Sequence, residues 1–347
     1  MRMTTIVLAL MLVIFSLTSC KKDFEVFSDV AKTDILRVYC YDSFIQSSLS
    51  KYVVEEFGSR YDCTVELIGL DDEKKLLSRI ISERGNPQAD VAIGIMNVEM
   101  NRALSANVFL PYEAGNLRLI RDRSFLMDRR NRLTPFNYSF YAFMYDSEVV
   151  EKPPRTFGEL QSSLFTDKII LINPSTSAQG FGILPWVLGV YGERGFELYW
   201  NRIKKNIFSY PGNYSDAYTA FLTTEAPIVL SYSTYLASHF ENDKSGRYKA
   251  FIPVEGSFKA IEYVGIIEGA QNIFLARRFI EFVLSESFQE RVPSSLWKYP
   301  VIDGVGLPNS FVSVPRPIND LTDKIFSLND NFSERWVEAW LKIMATK

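Results

Sequence analysis

The sequence predicts an α/β protein of two lobes, and three observations carry that reading. Short β-rich runs alternate with helical patterns from Leu36 onward, as expected of strands joined by helical crossovers. The alternation comes in two sets, separated by a dense aromatic strand at Phe136–Tyr145. A long C-terminal stretch then returns past the second set, so the chain crosses twice between lobes. Each lobe is expected to be a mostly parallel sheet flanked by helices, with a ligand cleft between the two.

The elements follow in order. Leu36–Tyr41 is the first strand, and Asp42-Ser43 is a good N-cap for a helix over Ile45–Phe57. Thr64–Leu70 is the second strand, and Asp71-Asp72 opens the helix Lys74–Arg84. Ala89–Gly94 is the third, followed by a helix over Glu99–Ala106. Such βα units in succession make a parallel sheet with helical crossovers. Beyond the aromatic strand, Pro153-Pro154 marks a break. Helix Thr156–Leu164, strand Lys168–Ile172, helices Gly182–Tyr191 and Gly195–Lys204, helix Ser215–Phe221 and strand Pro227–Tyr232 form the second set. Strands Ala250–Pro253 and Ala260–Ile267 come next, then the amphipathic helix Asn272–Leu284, and a last helix covers Asp330–Met344.

The N-terminus reads as a leader. Arg2 precedes an unbroken apolar run, Ile6–Phe15, and Leu17-Thr18-Ser19-Cys20 closes it. The run is about half the roughly 20 residues a membrane span needs, so it is a secretory signal. A cysteine at the cleavage point resembles a bacterial lipobox, in which Cys20 is lipidated; a plain signal peptide is the alternative. The expected organisation is 1–20 leader, 21–33 tether, 34–137 first part of lobe one, 138–257 lobe two, and 258–347 the return to lobe one with C-terminal helices.

Composition narrows the function. The chain has 347 residues, 47% of them apolar and 14% aromatic, which describes a well-packed globular protein. A net charge of -3 shows no basic excess, which disfavours a nucleic-acid surface. The single histidine, His239, argues against zinc hydrolysis and His-based triads. GxxxxGK and GxGxxG loops are both absent. Cys40 falls late in one predicted strand and Cys63 early in its neighbour, too far apart for a disulfide, so both are expected as unbridged, mostly buried thiols.

The candidate ligand residues stand at strand ends. Ser175-Thr176-Ser177 with Gly180 and Gly182 lies between a strand and a helix start, where backbone N–H groups and hydroxyls suit a phosphate; ordinary capping is the alternative. Asp72 suits a cation or amino group, or serves as an N-cap. Tyr214, Tyr232 and Trp297 suit an aromatic cage for a flat cation, or plain packing.

The pattern as a whole is more specific. Tyr39-Cys-Tyr41-Asp-Ser-Phe44, Gly69-Leu-Asp-Asp72, Ala89-Asp90-Val91 with Gly94, Phe136-Asn-Tyr138 and Tyr141-Ala-Phe-Met-Tyr-Asp146 stand in that order. Asn173-Pro-Ser-Thr-Ser177, Gly180-Phe-Gly182, Asn213-Tyr-Ser-Asp-Ala-Tyr218, Leu230-Ser-Tyr-Ser-Thr234 and Trp297-Lys-Tyr-Pro-Val301 complete the series. From about residue 35 to about residue 305 the series resembles the thiamine-binding periplasmic proteins of bacterial ABC importers.

The resemblance implies a two-lobed periplasmic-binding-protein fold that closes on thiamine or its phosphate esters. It implies a monomeric binding protein without cofactor or metal, serving an ABC permease and its ATPase. With the leader, it places the chain in the periplasm, lipid-anchored through Cys20. Tyr41 falls on the family's binding tyrosine, Asp72 on its acidic contact, Ser177 on a phosphate-loop hydroxyl, with Thr176 and Gly180 beside it. Tyr214 stands where the family has a tryptophan, and Tyr232 and Trp297 match aromatic positions. Met96 replaces an acidic residue and Ser238 a ring-packing tyrosine, for which Tyr235 is the substitute. Two other readings remain: the same fold binding ferric iron, through Tyr138 and Tyr141, or a polyamine; and a thiamine-degrading enzyme with Cys40 as nucleophile.

Overall fold

In a computed structural model, residues 35–120, 122–327 and 334–346 are described. The leader, Cys20 and the tether lie outside them. Strand Ile35–Tyr41 is the centre of the first lobe, with parallel neighbours Thr64–Leu70 on one side and Val91–Met96 on the other. Val91–Met96 is buried along its whole length, as expected of an apolar strand covered on both faces. Lys259–Ile267 then runs antiparallel to it, so the sheet is mixed.

The aromatic strand is longer than its sequence signal, Thr134–Asp146, and serves both lobes. Its first half, Thr134–Phe140, pairs with Lys259–Val264. Its second half, Tyr141–Tyr145, pairs with Ile228–Tyr232. Beyond that lie the short parallel strands Ile169–Ile170 and Ile207–Ser209. Two large apolar cores result, one built on Leu36, Val91, Ile93, Phe136, Val264 and Phe279, the other on Phe143, Ile170, Trp186, Trp200, Val229 and Trp340, with a smaller cluster of Phe140, Ala237, Tyr299, Phe311 and Val314 beside them.

Some elements differ from expectation. The helix over Ile45–Phe57 is segmented into Asp42–Ile45, Ser48–Tyr52 and a π-helical turn Val53–Phe57. Ser47 and Ser50 hydroxyls donate to the carbonyls of Phe44, Ile45 and Ser47, competing with the helical ladder. Thr156–Leu164 is reduced to the 3₁₀ turns Glu159–Gln161 and Ser163–Phe165, because Ser162 is extended and caps the second turn through Leu164 N–H. The two helices read around Gly195 form Ile183–Ile203, broken at Gly192, whose φ of 65° lies in the left-handed region.

The C-terminal helix, Glu334–Met344, corrects the expected lobe-one return. It lies in the second core, where Trp340 meets Trp200 edge-on at 5.9 Å and Trp336 meets Phe196 at 4.8 Å. Its buried stripe Trp336, Val337, Trp340, Ile343 and Met344 has helical spacing, and the second lobe carries the aromatic surface that matches it. The chain therefore crosses between the lobes a third time, back to lobe two. Cys40 and Cys63 are unbridged, the first buried and the second half-buried; Cys40 stands level with Gly69, whereas Cys63 precedes Thr64, which is level with Ile35.

Candidate functional site

Two adjoining cavities, of about 260 and 250 Å³, share Tyr41, Ser43, Gln46, Glu73 and Gln179 among their lining residues and so form one cleft. They lie where the first two strands end, since Tyr41 closes strand Ile35–Tyr41 and Glu73 follows strand Thr64–Leu70. Clefts at strand C-terminal ends are where α/β folds bind ligands.

Tyr41 is held by a buried network. Its Oη donates to Glu262 Oε2 at 2.8 Å, Asn137 Nδ2 donates to the same oxygen at 2.9 Å, and Lys298 Nζ donates to Glu262 Oε1 at 2.7 Å. Burial, and then the Glu262 carboxylate, push the Tyr41 phenol well above its ordinary range. Gly94 permits this placement: its φ is 110°, and a Cβ there would sit 2.4 Å from the Tyr41 ring. The Lys298 ammonium also stands 4.0 Å from the centroid of the Tyr232 ring, a cation–π contact in a desolvated place.

Asp72 lines the second cavity but uses its carboxylate structurally. Oδ1 accepts from Lys74 N–H at 2.8 Å, capping its own helix Glu73–Ser82, and from Ala178 N–H of the other lobe at 3.0 Å. Burial raises its pKa, against the lowering effect of these bonds and of Ser177. The loop read as a phosphate cradle is thus internally capped. Gly180 N–H donates to Ser177 Oγ at 3.3 Å, Ser175 N–H donates to Asn173 Oδ1 at 2.9 Å, and the Thr176 hydroxyl donates to the Gly212 carbonyl at 2.7 Å. Ser177, Thr176 and Gly180 line neither cavity. Gly180 is required by close approach, since a Cβ would stand 2.6 Å from the Ile172 carbonyl oxygen.

The aromatic candidates divide. Trp297 and Tyr235 line the first cavity and Tyr214 the second. Tyr214 meets Tyr235 at 5.0 Å and Tyr218 at 5.2 Å, and its hydroxyl bonds Ser231 at 3.0 Å. Ser238 lies beside Tyr235 in the first cavity. Tyr232 is buried behind this wall, and its hydroxyl donates to the buried Met96 Sδ at 3.6 Å. Neither Tyr232 nor Met96 lines a cavity.

Glu262, Lys298, Glu73 and Gln179 are among the lining residues that escaped the sequence reading. Glu262 and Lys298 were visible only as a lone acid in an apolar strand pattern and a lysine inside Trp297-Lys-Tyr-Pro300. Glu73 hides behind the better helix cap Asp72, and Gln179 behind the serines before it. Glu73 is 5% exposed and lines both cavities; burial, then the neighbouring charges of Asp72 and Glu262, push its carboxyl well above the ordinary range. Gln179 is 8% exposed and its Oε1 has no hydrogen-bond partner. The second cavity is bordered by Asp42, Asp71, Asp72, Glu73 and Asp216, with no lysine or arginine among its described lining residues.

Residues 86–337 match the family model described as bacterial extracellular solute-binding protein. The chain is 31% identical over 311 residues to the thiamine-binding periplasmic protein of Brucella abortus, covering 89% of this chain and 91% of that one. It is 30% identical to the thiamine-binding periplasmic protein of Escherichia coli K12, over 90% of this chain and 94% of that one. A solved structure titled periplasmic thiamin binding protein superposes with a TM-score of 0.80 at 28% identity, over 89% of this chain and 96% of that one. The two-lobed fold, the cleft at its strand ends and these matches agree: the chain belongs to the bacterial extracellular solute-binding protein family, among the thiamine-binding periplasmic proteins.

Proposed function

We propose that the cleft captures thiamine and its phosphate esters outside the cytoplasm and delivers them to an ABC permease driven by its ATPase. The observation that carries this reading is an aromatic wall of Tyr41, Tyr214, Tyr235 and Trp297 beside carboxylates, with Lys298, the one cation among the described lining residues, tied to Glu262. Thiamine has a flat aminopyrimidine and a permanently cationic thiazolium. Stacking on aromatic faces and a carboxylate counter-charge suit those parts. The bond from Ala178 N–H to Asp72 joins the lobes over the cleft, and a ligand that favours this closed form shifts the lobes toward it. Titration of the mature protein with thiamine, followed by tryptophan fluorescence, is expected to show one site per monomer. No binding at micromolar thiamine overturns the reading.

Lipidation of Cys20 completes the proposal, since a tether keeps the cleft close to a membrane permease. The Cys20→Ser variant is expected to move from the membrane fraction to the soluble periplasmic fraction; retention in the membrane overturns the anchor.

The second reading, a polyamine, is favoured by the acidic border of the second cavity, and a spermidine titration separates the two. The iron reading has less support: Tyr138 packs on Phe125 and Tyr299 and Tyr141 on Phe258, and neither lines the cleft. The degrading-enzyme reading also has less support. Cys40 is fully buried, its Sγ donates to the Ile68 carbonyl at 3.8 Å, and burial pushes the thiol up to about 12, far from a nucleophilic thiolate.

A further inference from the structure

Away from the cleft, six arginines stand between residues 118 and 132 of a chain whose net charge is -3. Their segment joins strand Phe109–Leu110 to strand Thr134–Asp146 and borders a cavity of about 430 Å³, lined by the exposed Arg118, Arg123 and Arg129 together with Leu117 and Leu126. The neighbouring acids are committed elsewhere. Asp128, 5% exposed, accepts from Arg132 Nε at 3.1 Å and from the N–H groups of Arg130 and Arg132. Asp122 caps the turn Arg123–Phe125 through Ser124 N–H and pairs with Lys259 at 3.5 Å. Among the described residues no carboxylate pairs with Arg118, Arg123 or Arg129, and Glu113 is the one lining acid left to offset them.

An arginine's planar fork of donors matches phosphate oxygens two at a time, so three such forks around one cavity suit a phosphate group. Leu117 and Leu126, with Leu119 beside Arg118 at 39% exposed, add apolar surface. Inorganic phosphate has no use for that surface, whereas the glycerol backbone of a phospholipid does. The place in the fold agrees. Leu110, after which the segment leaves the sheet, pairs with Ile266, which is level with Val91 at the start of its strand. The tether joins at Ile35, the start of the neighbouring parallel strand. Both therefore meet the same end of the sheet, opposite the strand ends that form the cleft. Residues 21–33 span at most roughly 45 Å.

Resting on the membrane tether read at Cys20, we propose that this cavity docks on the anionic phospholipid headgroups of the membrane that holds the lipid. Arg118, Arg123 and Arg129 take the headgroup phosphates, and the leucines rest on the glycerol region. Three arginines make a weak, salt-screened contact. The tether supplies the effective concentration that such a contact lacks, so it orients an anchored chain and does not by itself keep an unanchored one in the membrane fraction at physiological salt.

Flotation of the mature chain without its lipid, on vesicles of phosphatidylcholine alone or mixed with phosphatidylglycerol, tests the cavity apart from the anchor. At about 10 mM salt, where the Debye length is about 30 Å, the chain is expected to float with the anionic vesicles and not with the neutral ones. At about 150 mM, where that length is about 8 Å, anionic binding is expected to weaken at least about tenfold. The double variant Arg118→Glu/Arg129→Glu is expected to lose at least about tenfold in anionic binding at low salt while keeping the parent's melting transition. Binding that ignores vesicle charge, or that the folded double variant retains, overturns the assignment. Titration with inorganic phosphate, at matched ionic strength, separates the sources: saturable phosphate binding without flotation would make this a free-anion site and overturn the lipid. Retention on immobilised polyglutamate without flotation would point to an acidic protein partner and overturn it equally. The anchor stands or falls separately, on the fractionation of Cys20→Ser.

Discussion

The Asp72 carboxylate of the first lobe accepts the Ala178 N–H of the second at 3.0 Å, so one acid caps helices on both sides of the cleft. A residue that lines the cleft is thereby part of a contact between the lobes. Its removal is expected to alter the open–closed balance as well as the charge of the cleft.

Asp72→Ala is expected to lose about 1 kcal/mol of stability from the cap on its own helix and to favour the open form. Small-angle scattering of the ligand-free variant should show a larger radius of gyration than the parent. An unchanged radius would mean that other contacts hold the lobes together.

Trp297 ends the helix Val292–Leu296 in a left-handed conformation, φ 53°, which presents its ring to the first cavity. Trp297→Ala is expected to weaken thiamine binding by at least about 1.4 kcal/mol, or tenfold, while Trp297→Phe recovers part of it. Equal affinity of Trp297→Ala and the parent would remove this ring from the site.

Glu73 carries a pH signature. Burial first, then Asp72 and Glu262, raise its pKa, and Lys298 opposes them. The native ligand-free protein therefore binds this proton more tightly than the unfolded chain does, and stability falls as pH rises from the ordinary glutamate range through the raised value. Glu73→Gln should raise the melting temperature relative to the parent at pH 8 by more than at pH 5. A cation in the cleft lowers the same pKa, so thiamine affinity should rise with pH and binding should release protons. Calorimetry in buffers of different ionisation enthalpy measures that release, and proton uptake would show that the bound cation does not reach Glu73.

The buried pair of Lys298 and Glu262, with side chains 6% and 1% exposed, is 2.7 Å apart. Lys298→Met strands the Glu262 charge and is expected to cost about 3–5 kcal/mol. Adding Glu262→Gln should recover much of that loss, because the charge left without a partner is then gone. Urea denaturation of the single and double variants checks it, and an additive double variant would show that the ions are uncoupled.

Much of this was legible in the sequence for a physical reason. Strands such as Val91–Met96 are apolar on both faces, and caps such as Asp72 leave a local signature, so periodicity finds both. The aromatic wall was legible because Tyr41, Tyr214, Tyr235 and Trp297 sit at element ends. What stayed hidden depends on contacts across the fold. Asp72 and Ala178 are 106 residues apart, and Tyr41 and Glu262 are 221 apart. No local pattern announces that a loop's N–H groups are already occupied by a distant carboxylate. The docking of Trp336 and Trp340 on lobe two was hidden likewise, since an amphipathic stripe records that a helix packs and not where.

The strand Thr134–Asp146 has a consequence for how the molecule comes apart. One lobe takes its first half as a sheet member and the other takes its second half, so melting either lobe strips a hydrogen-bonded edge from its neighbour. The helix Glu334–Met344 adds a second shared stake, because the segment that carries it leaves lobe one after Val305 and ends in the core of lobe two. The lobes are consequently not interchangeable cassettes. A hybrid that joined this first lobe to a relative's second would have to splice within one continuous ladder, between Phe140 and Tyr141, and keep both registers intact.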